Sequence, residues 1–229
     1  MPPAAAGGFH IGSTMAESHR PTILLRGLYA ITSDALCSNS EQLLAAVAAA
    51  LRGGAILIQY RDKRSDAQAR LANARALAAM AHARGARLIV NDDARLAAEA
   101  DGVHLGTTDG SIAAARAQLG TSAIIGASCG PDLQRARDAI AAGVDYIAFG
   151  RFFDSRTKPD APQASIELLR TARAEFHLPI CAIGGVTPEN GSALITAGAD
   201  LLAAVEGVFG DPDPAHVEAN ARAYGRLFD

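Results

Sequence analysis

Short apolar runs alternate with longer, alanine-rich, helix-periodic stretches along this chain, and that alternation restricts the folds open to it. The runs fall at 27–33, 56–61, 87–92, 102–106, 124–128, 146–150, 179–185 and 201–205. Continuous apolar strands separated by helices predict a parallel sheet covered on its outside. Such a sheet either closes into a barrel or stays open and doubly wound. An open sheet would carry a glycine-rich phosphate loop after its first strand, and Thr32-Ser33-Asp34 is not one. Eight βα units therefore predict a single-domain (β/α)8 TIM barrel over residues 23–229, a length that suits it. Residues 1–22 show no sustained periodicity and neither the basic start nor the apolar run of a signal peptide. They are read as a disordered extension outside the fold.

The helices carry their own signals. Ser38-Asn39-Ser40-Glu41 has the capping-box pattern, and Leu43, Val47 and Leu51 then follow one helix face. Pro131 and Pro188 are placed in first helical turns. Gly143 and Gly198 are placed at helix ends, each followed by a small apolar residue and then Asp145 or Asp200.

With 49% hydrophobic residues but no Trp, the core must be built from Ala, Leu, Val and Ile. A net charge of −3 argues against binding nucleic acid through bulk charge, so an anion has to be met by a local site. Cys37, Cys129 and Cys181 lie far apart with no metal spacing and read as reduced thiols of a cytoplasmic protein. No stretch of 18 apolar residues occurs, so no membrane span is expected.

In a barrel the chemistry sits at the C-terminal strand ends. The second run ends with Gln59, Arg61 and Lys63, alternate residues that share a strand face. They suit a phosphate clamp, or a solvated strand end held by salt bridges. The third run ends Asn91-Asp92-Asp93 and the fourth leads to Asp109. Asp92 and Asp109 on one rim suit Mg²⁺, which takes few carboxylates and completes its shell with water and phosphate oxygens. Asp93 is assigned to helix capping. Ser128, after the fifth run, is placed to donate to a reacting group or to cap the helix at Pro131. No base stands beside it in sequence, which weakens a serine-nucleophile reading. Cys129 is placed at the rim without a histidine motif, and His104 reads as a buried structural histidine. The loop 151–164, with Arg151, Ser155, Arg156, Thr157 and Lys158, suits an anion-gripping lid or a merely basic surface. Gly184-Gly185 and the turn at Val205-Glu206 stand where barrels often bind phosphate through backbone N–H groups.

These motifs together resemble the thiamine phosphate synthase family. They are Gly27-Leu28-Tyr29-Ala30-Ile31-Thr32, Gln59-x-Arg61-x-Lys63, Asn91-Asp92-Asp93, Gly102-Val103-His104-Leu105-Gly106-x-x-Asp109, Gly126-x-Ser128, Thr157-Lys158 and Ile183-Gly184-Gly185-Val186. Seven motifs in this order span residues 27–209. The resemblance implies a (β/α)8 enzyme that couples 4-amino-2-methyl-5-hydroxymethylpyrimidine diphosphate to hydroxyethylthiazole phosphate, yielding thiamine phosphate and pyrophosphate. It implies pyrimidine diphosphate contacts from Gln59, Arg61, Lys63, Asn91, Ser128 and Lys158, with Ser128, Arg61 and Lys158 as catalytic groups. Asp92 and Asp109 would bind magnesium. Ser155, Thr157, Gly185, Val205 and Glu206 would hold the thiazole phosphate. Two departures stand out. Ser155 replaces a threonine, keeping the hydroxyl, and Glu206 stands where many members have serine. Either the Glu206 side chain points away and only its N–H serves, or the thiazole site differs here.

Two other readings fit the same motifs in part. A thiazole tautomerase-like isomerase of the same fold would need a base beside the thiazole but not the two carboxylates. A ligand-binding regulator without catalysis would keep binding without Asp92. The partners expected are small-molecule substrates, with no nucleic acid and no membrane. A homo-oligomer is compatible with the sequence.

Overall fold

Each of the eight apolar runs forms a strand in the computed structural model, which describes residues 25–154 and 162–229. The expected extension 1–22 and the site residues Ser155, Thr157 and Lys158 lie outside the described residues. The strands are β1 Gly27–Ile31, β2 Leu57–Tyr60, β3 Arg87–Asn91, β4 Gly102–Leu105, β5 Ile124–Gly130, β6 Tyr146–Gly150, β7 Ile180–Ile183 and β8 Leu201–Ala204. All pair in parallel in chain order, and β8 closes on β1. The expected single-domain (β/α)8 barrel is the observed fold.

The helices outside it are α1 Asp34–Cys37, α2 Ser40–Arg52, α3 Ala67–His82, α4 Ile112–Leu119, α5 Leu133–Ala141, α6 Ile166–Glu175, α7 Pro188–Thr196, α8 Glu206–Phe209 and α9 Pro214–Gly225. Short polar side chains open most of them. Ser33, Asn39, Asp66, Ser111, Asp132, Ser165 and Asp213 each accept a backbone N–H of the first turn.

Three local expectations need correction. Asn39, not Ser38, caps α2, accepting from Gln42 N at 3.0 Å, because Ser38 already ends α1. Pro131 lies outside α5, whose cap is Asp132, so Ser128 has no capping role there. After Asp93 there is no α-helix, only a 3₁₀ turn, Leu96–Glu99. The connection from β3 to β4 is too short for more. Asp93 still serves that turn, accepting from Arg95 N at 3.0 Å and Leu96 N at 3.1 Å. Pro188 does begin α7. Gly143 and Gly198 take φ of 90° and 113° just past α5 and α7, where a Cβ would be strained.

Strand residues alternate between two cores. Leu28, Ala30, Ile58, Tyr60 and Val90 pack outward against helices. Tyr29, Leu57, Ile89, Tyr146, Cys181 and Leu201 fill the barrel interior. Tyr146 needs a gap on the neighbouring strand, since a Cβ on Gly126 would overlap its ring. The floor carries a repeated clamp. The carboxylates of Asp101, Asp145 and Asp200 each accept the backbone N–H of the preceding strand, from Leu88, Ile125 and Ile180, at 2.7–2.8 Å. Each is also gripped by a basic side chain: His82, Arg116 and Arg173 respectively. At that end such ties serve stability and leave the other end for chemistry.

Candidate active site

The mouth is assembled from strand ends that alternation and register bring together. On β2, Gln59 points into the barrel and is only 3% exposed. Its Nε2 donates to Tyr29 Oη at 2.7 Å. Tyr60 and Asp62 face the other way, joined by a 2.9 Å bond from the phenol to the carboxylate. Strand β2 ends at Tyr60, so strict alternation stops before Arg61 and Lys63, and the two cations take separate partners. Arg61 Nη1 sits 3.3 Å from Asp34 Oδ2, whereas Lys63 Nζ sits 3.1 Å from Asp92 Oδ2.

The loop after β1 holds this strand end in place. Thr32 Oγ1 accepts from Arg61 N at 2.9 Å, and Asp34 Oδ1 accepts from Lys63 N at 2.9 Å. Neither Thr32 nor Asp34 stood out in the sequence as a site residue. Two polar residues directly after the first strand were the available signal.

Asn91 ends β3, and Asp92 follows with φ of 63°, the one non-glycine with positive φ among the described residues. Aspartate tolerates that conformation better than most residues, and held strain of this kind concentrates at working sites. The turn aims the carboxylate across Gly106, whose N–H lies 3.4 Å from Asp92 Oδ1. Asp109 reaches back to the same glycine. A Cβ built on Gly106 would lie 2.1 Å from Asp109 Oδ2 and 3.7 Å from Asp92 Oδ1. The two carboxylates thus flank one small residue, beside Lys63 and Asn91, in an open cleft of about 570 Å³. Arg70 and Arg95 line its outer side.

Deeper in the barrel, Ser128 Oγ lies 2.9 Å from His104 Nε2, and His104 Nδ1 lies 2.8 Å from Tyr146 Oη. His104 is buried, as expected, at 8% exposure. It is also the partner of Ser128, and no sequence neighbour signals that. The phenols of Tyr29 and Tyr146 are pushed above their usual range, mainly by burial. Cys129 is fully buried rather than at the rim, because β5 extends through it. Burial pushes its thiol up to about 12, the wrong direction for a nucleophile.

On the far side, Gly184 and Gly185 have φ of 98° and 63°. Their first demand comes from the protein itself. A Cβ on Gly184 would strike Arg151, and one on Gly185 would strike the Asp154 carbonyl. Phe152 N and Phe153 N bond to the carbonyls of Ile183 and Gly184 at 3.2 and 2.9 Å, seating the base of the 151–164 loop on β7. Val205 and Glu206 begin α8 directly after β8. The Glu206 carboxylate runs along α8 toward its C-terminal end, with Oε2 3.3 Å from where a Cβ on Gly210 would stand. The side chain thus lies over its own helix and is exposed. Tyr224 of α9 donates to the Val186 carbonyl at 2.6 Å and fills the space beside Gly207, tying the two loops together.

A (β/α)8 barrel with an acidic pair, flanking cations and glycine-shaped loops at its C-terminal mouth has the architecture of a barrel enzyme, in which that end carries the active site. Comparison with known proteins makes this particular. The family model for thiamine monophosphate synthase matches residues 28–208. A thiamine-phosphate synthase of Alcanivorax borkumensis is 52% identical over 210 residues, covering 91% of this chain and 96% of that protein. Thiamine phosphate pyrophosphorylase from Pyrococcus furiosus superposes with a TM-score of 0.79 at 29% identity, covering 90% of this chain and 96% of the other. The corresponding protein from Bacteroides thetaiotaomicron, at 14% identity and a TM-score of 0.65 over 88% of this chain and 96% of its own, shares the fold. The chain belongs to the thiamine monophosphate synthase family, enzymes of the transferase class.

Among the described residues no helix is long and apolar enough to cross a membrane.

Proposed function

We propose that this enzyme joins 4-amino-2-methyl-5-hydroxymethylpyrimidine diphosphate to hydroxyethylthiazole phosphate, releasing pyrophosphate and forming thiamine phosphate. The observation that carries the reading is the group of Lys63, Asp92 and Asp109 around Gly106, above the Gln59 and Ser128 side chains of the barrel interior.

The donor set suits magnesium. Two hard carboxylates stand on either side of a residue too small to fill the gap. Magnesium takes such a partial set and completes its shell with water and phosphate oxygens. Asp92 and Asp109 would hold it, and when bound it neutralises charge on the diphosphate.

The protein's own groups then have separate tasks. Arg61, Lys63 and Lys158 bind the diphosphate and stabilise the charge that grows as its C–O bond breaks. The electron pair leaves with the diphosphate. The cation left on the pyrimidine methylene is delocalised by the ring's amino group, so the substitution is dissociative. The thiazole nitrogen supplies the pair for the new C–N bond. Gln59, Asn91 and Ser128 orient the pyrimidine. Ser155, Thr157, Gly185 and the backbone at Val205 and Glu206 hold the thiazole phosphate, so both partners meet in one cavity. No protein nucleophile is needed. The enzyme would work on small molecules in the cytoplasm, without nucleic acid or membrane.

The test follows both products by chromatography after mixing protein and the two substrates with Mg²⁺ or with chelator. Thiamine phosphate that requires Mg²⁺, and falls at least about a hundredfold in Asp92→Ala, is expected. Folded protein that leaves both substrates intact overturns the proposal and makes thiazole tautomerisation the next assay.

A further inference from the structure

Ser128 and His104 stand 2.9 Å apart, a spacing shared with serine nucleophiles and their general bases. The rest of the barrel interior argues against that use. Four hydrogen bonds run in series from Gln59 to Ser128: Gln59 Nε2 to Tyr29 Oη at 2.7 Å, Tyr29 Oη to Tyr146 Oη at 2.8 Å, Tyr146 Oη to His104 Nδ1 at 2.8 Å, and His104 Nε2 to Ser128 Oγ at 2.9 Å. The first four members are buried. The tyrosine rings meet edge to face at 5.9 Å, and His104 stacks on Tyr146 at 5.5 Å.

The series has a direction. An amide nitrogen only donates, so Tyr29 Oη accepts from Gln59 and has its own proton to place. Tyr146 Oη is the acceptor that the described residues offer it. Tyr146 in turn donates to His104 Nδ1, which leaves the ring proton of a neutral imidazole on Nε2. If the series ran the other way, Tyr29 would accept twice and bury a hydroxyl proton with no acceptor among the described residues, which costs more than a made bond returns. A doubly protonated His104 would force the same fault.

We infer that Gln59, Tyr29, Tyr146 and His104 form a polarised relay that holds His104 as the Nε2–H tautomer and makes Ser128 a hydrogen-bond donor to the bound ligand, not a nucleophile. Ser128 Oγ accepts from the ring, so its own hydrogen is turned toward an acceptor atom of the substrate. His104 has no lone pair at Nε2 with which to take the serine proton. Tyr29, Tyr146 and His104 are positioning residues that act through Ser128. The inference builds on the reading of Ser128 as a ligand contact.

The first experiment needs no turnover. Protein labelled with ¹⁵N at histidine, free of ligand at pH 7, is examined by NMR. The His104 ring is recognised by its contacts to the Tyr146 ring protons. The Nε2–H tautomer is expected, together with no labelling of Ser128 by phenylmethylsulfonyl fluoride. An Nδ1–H tautomer, an imidazolium or an acylated Ser128 overturns the inference even where synthase activity is intact. The second experiment is a double-mutant cycle. Tyr146→Phe should lower kcat about tenfold, the worth of one net hydrogen bond, with the thiazole phosphate KM unchanged. In a Ser128→Ala background the same change should cost less than about twofold. Equal losses in both backgrounds show that Tyr146 does not act through Ser128 and refute the relay. Absence of thiamine phosphate from the parent enzyme would instead count against the proposed reaction and leave the NMR result standing.

Discussion

Replacing Gly106 by alanine tests the metal site while leaving both carboxylates in the sequence. The added Cβ would stand 2.1 Å from Asp109 Oδ2, where real Cβ contacts stay beyond 3.0 Å. The carboxylate must therefore retreat by the difference, about 0.9 Å. Asp109 is exposed and its side chain flexible, so the retreat is easy for the fold. Gly106 also has no positive φ, so alanine fits its backbone and lowers the entropy of the unfolded chain; stability should stay level or rise by about 0.4–1 kcal/mol. Magnesium is less forgiving. It demands near-ideal geometry at about 2.0–2.1 Å, and a shift of nearly half a bond length replaces a direct contact by one through water. Disturbing the support of a metal ligand typically costs about ten- to a hundredfold in affinity. The Mg²⁺ concentration giving half-maximal thiamine phosphate formation should rise by that factor, with thermal unfolding as the control. A Gly106→Ala enzyme with the parent's Mg²⁺ dependence, within about twofold, would refute the assignment of Asp109 as a ligand.

Other consequences follow from single contacts. Because the Glu206 carboxylate lies along α8 toward Gly210, Glu206→Ser should leave the thiazole phosphate KM within about twofold, and a clear tightening would mean that the charge does face the phosphate. Asp145→Ala strips an acceptor from both Ile125 N–H and Arg116, partners at 2.7 and 2.6 Å. It should cost about 3–5 kcal/mol in urea unfolding while kinetics per folded molecule stay unchanged; a loss below about 1 kcal/mol would argue against the floor clamp. Burial pushes the Asp62 carboxyl up, but N–H bonds from Ser65 and Arg64 and the Tyr60 hydroxyl outweigh it, and its pKa is lowered. A lowered carboxyl stabilises fully above the ordinary range near about 4 and loses that contribution as pH falls through its folded value. Asp62→Asn should therefore unfold with a shallower dependence on acid pH, and parallel curves for the two proteins would contradict this.

Much of the barrel was legible because its strands are buried on both faces, which writes each as an unbroken apolar run, and because helix ends use side chains with few alternatives. Local pattern and structure differ where two local preferences compete. Ser38 and Asn39 are both good caps, and the choice fell to Asn39 only because α1 occupies Ser38. The alanines after Asp93 suit a helix, but closure of β4 against β3 leaves room for one 3₁₀ turn. The Gly184-Gly185 pair is legible as unusual backbone, yet its strongest constraint is the Arg151–Asp154 segment resting on it.

Residue type and spacing alone determined which strand ends carry cations, carboxylates and hydroxyls, since hydrophobic alternation and local hydrogen bonding act over a few residues. Tertiary structure decided which of them meet. Lys63 joins Asp92, Arg61 joins Asp34, and Ser128 joins His104 across separations of 24–29 residues. Those encounters depend on strand register and ring closure, and no local preference of the chain encodes a distance between residues that far apart. The interior relay is the clearest case. Tyr29 and Tyr146 are 117 residues apart, and their bond exists because the barrel closes around them and Gly126 leaves room for the second ring.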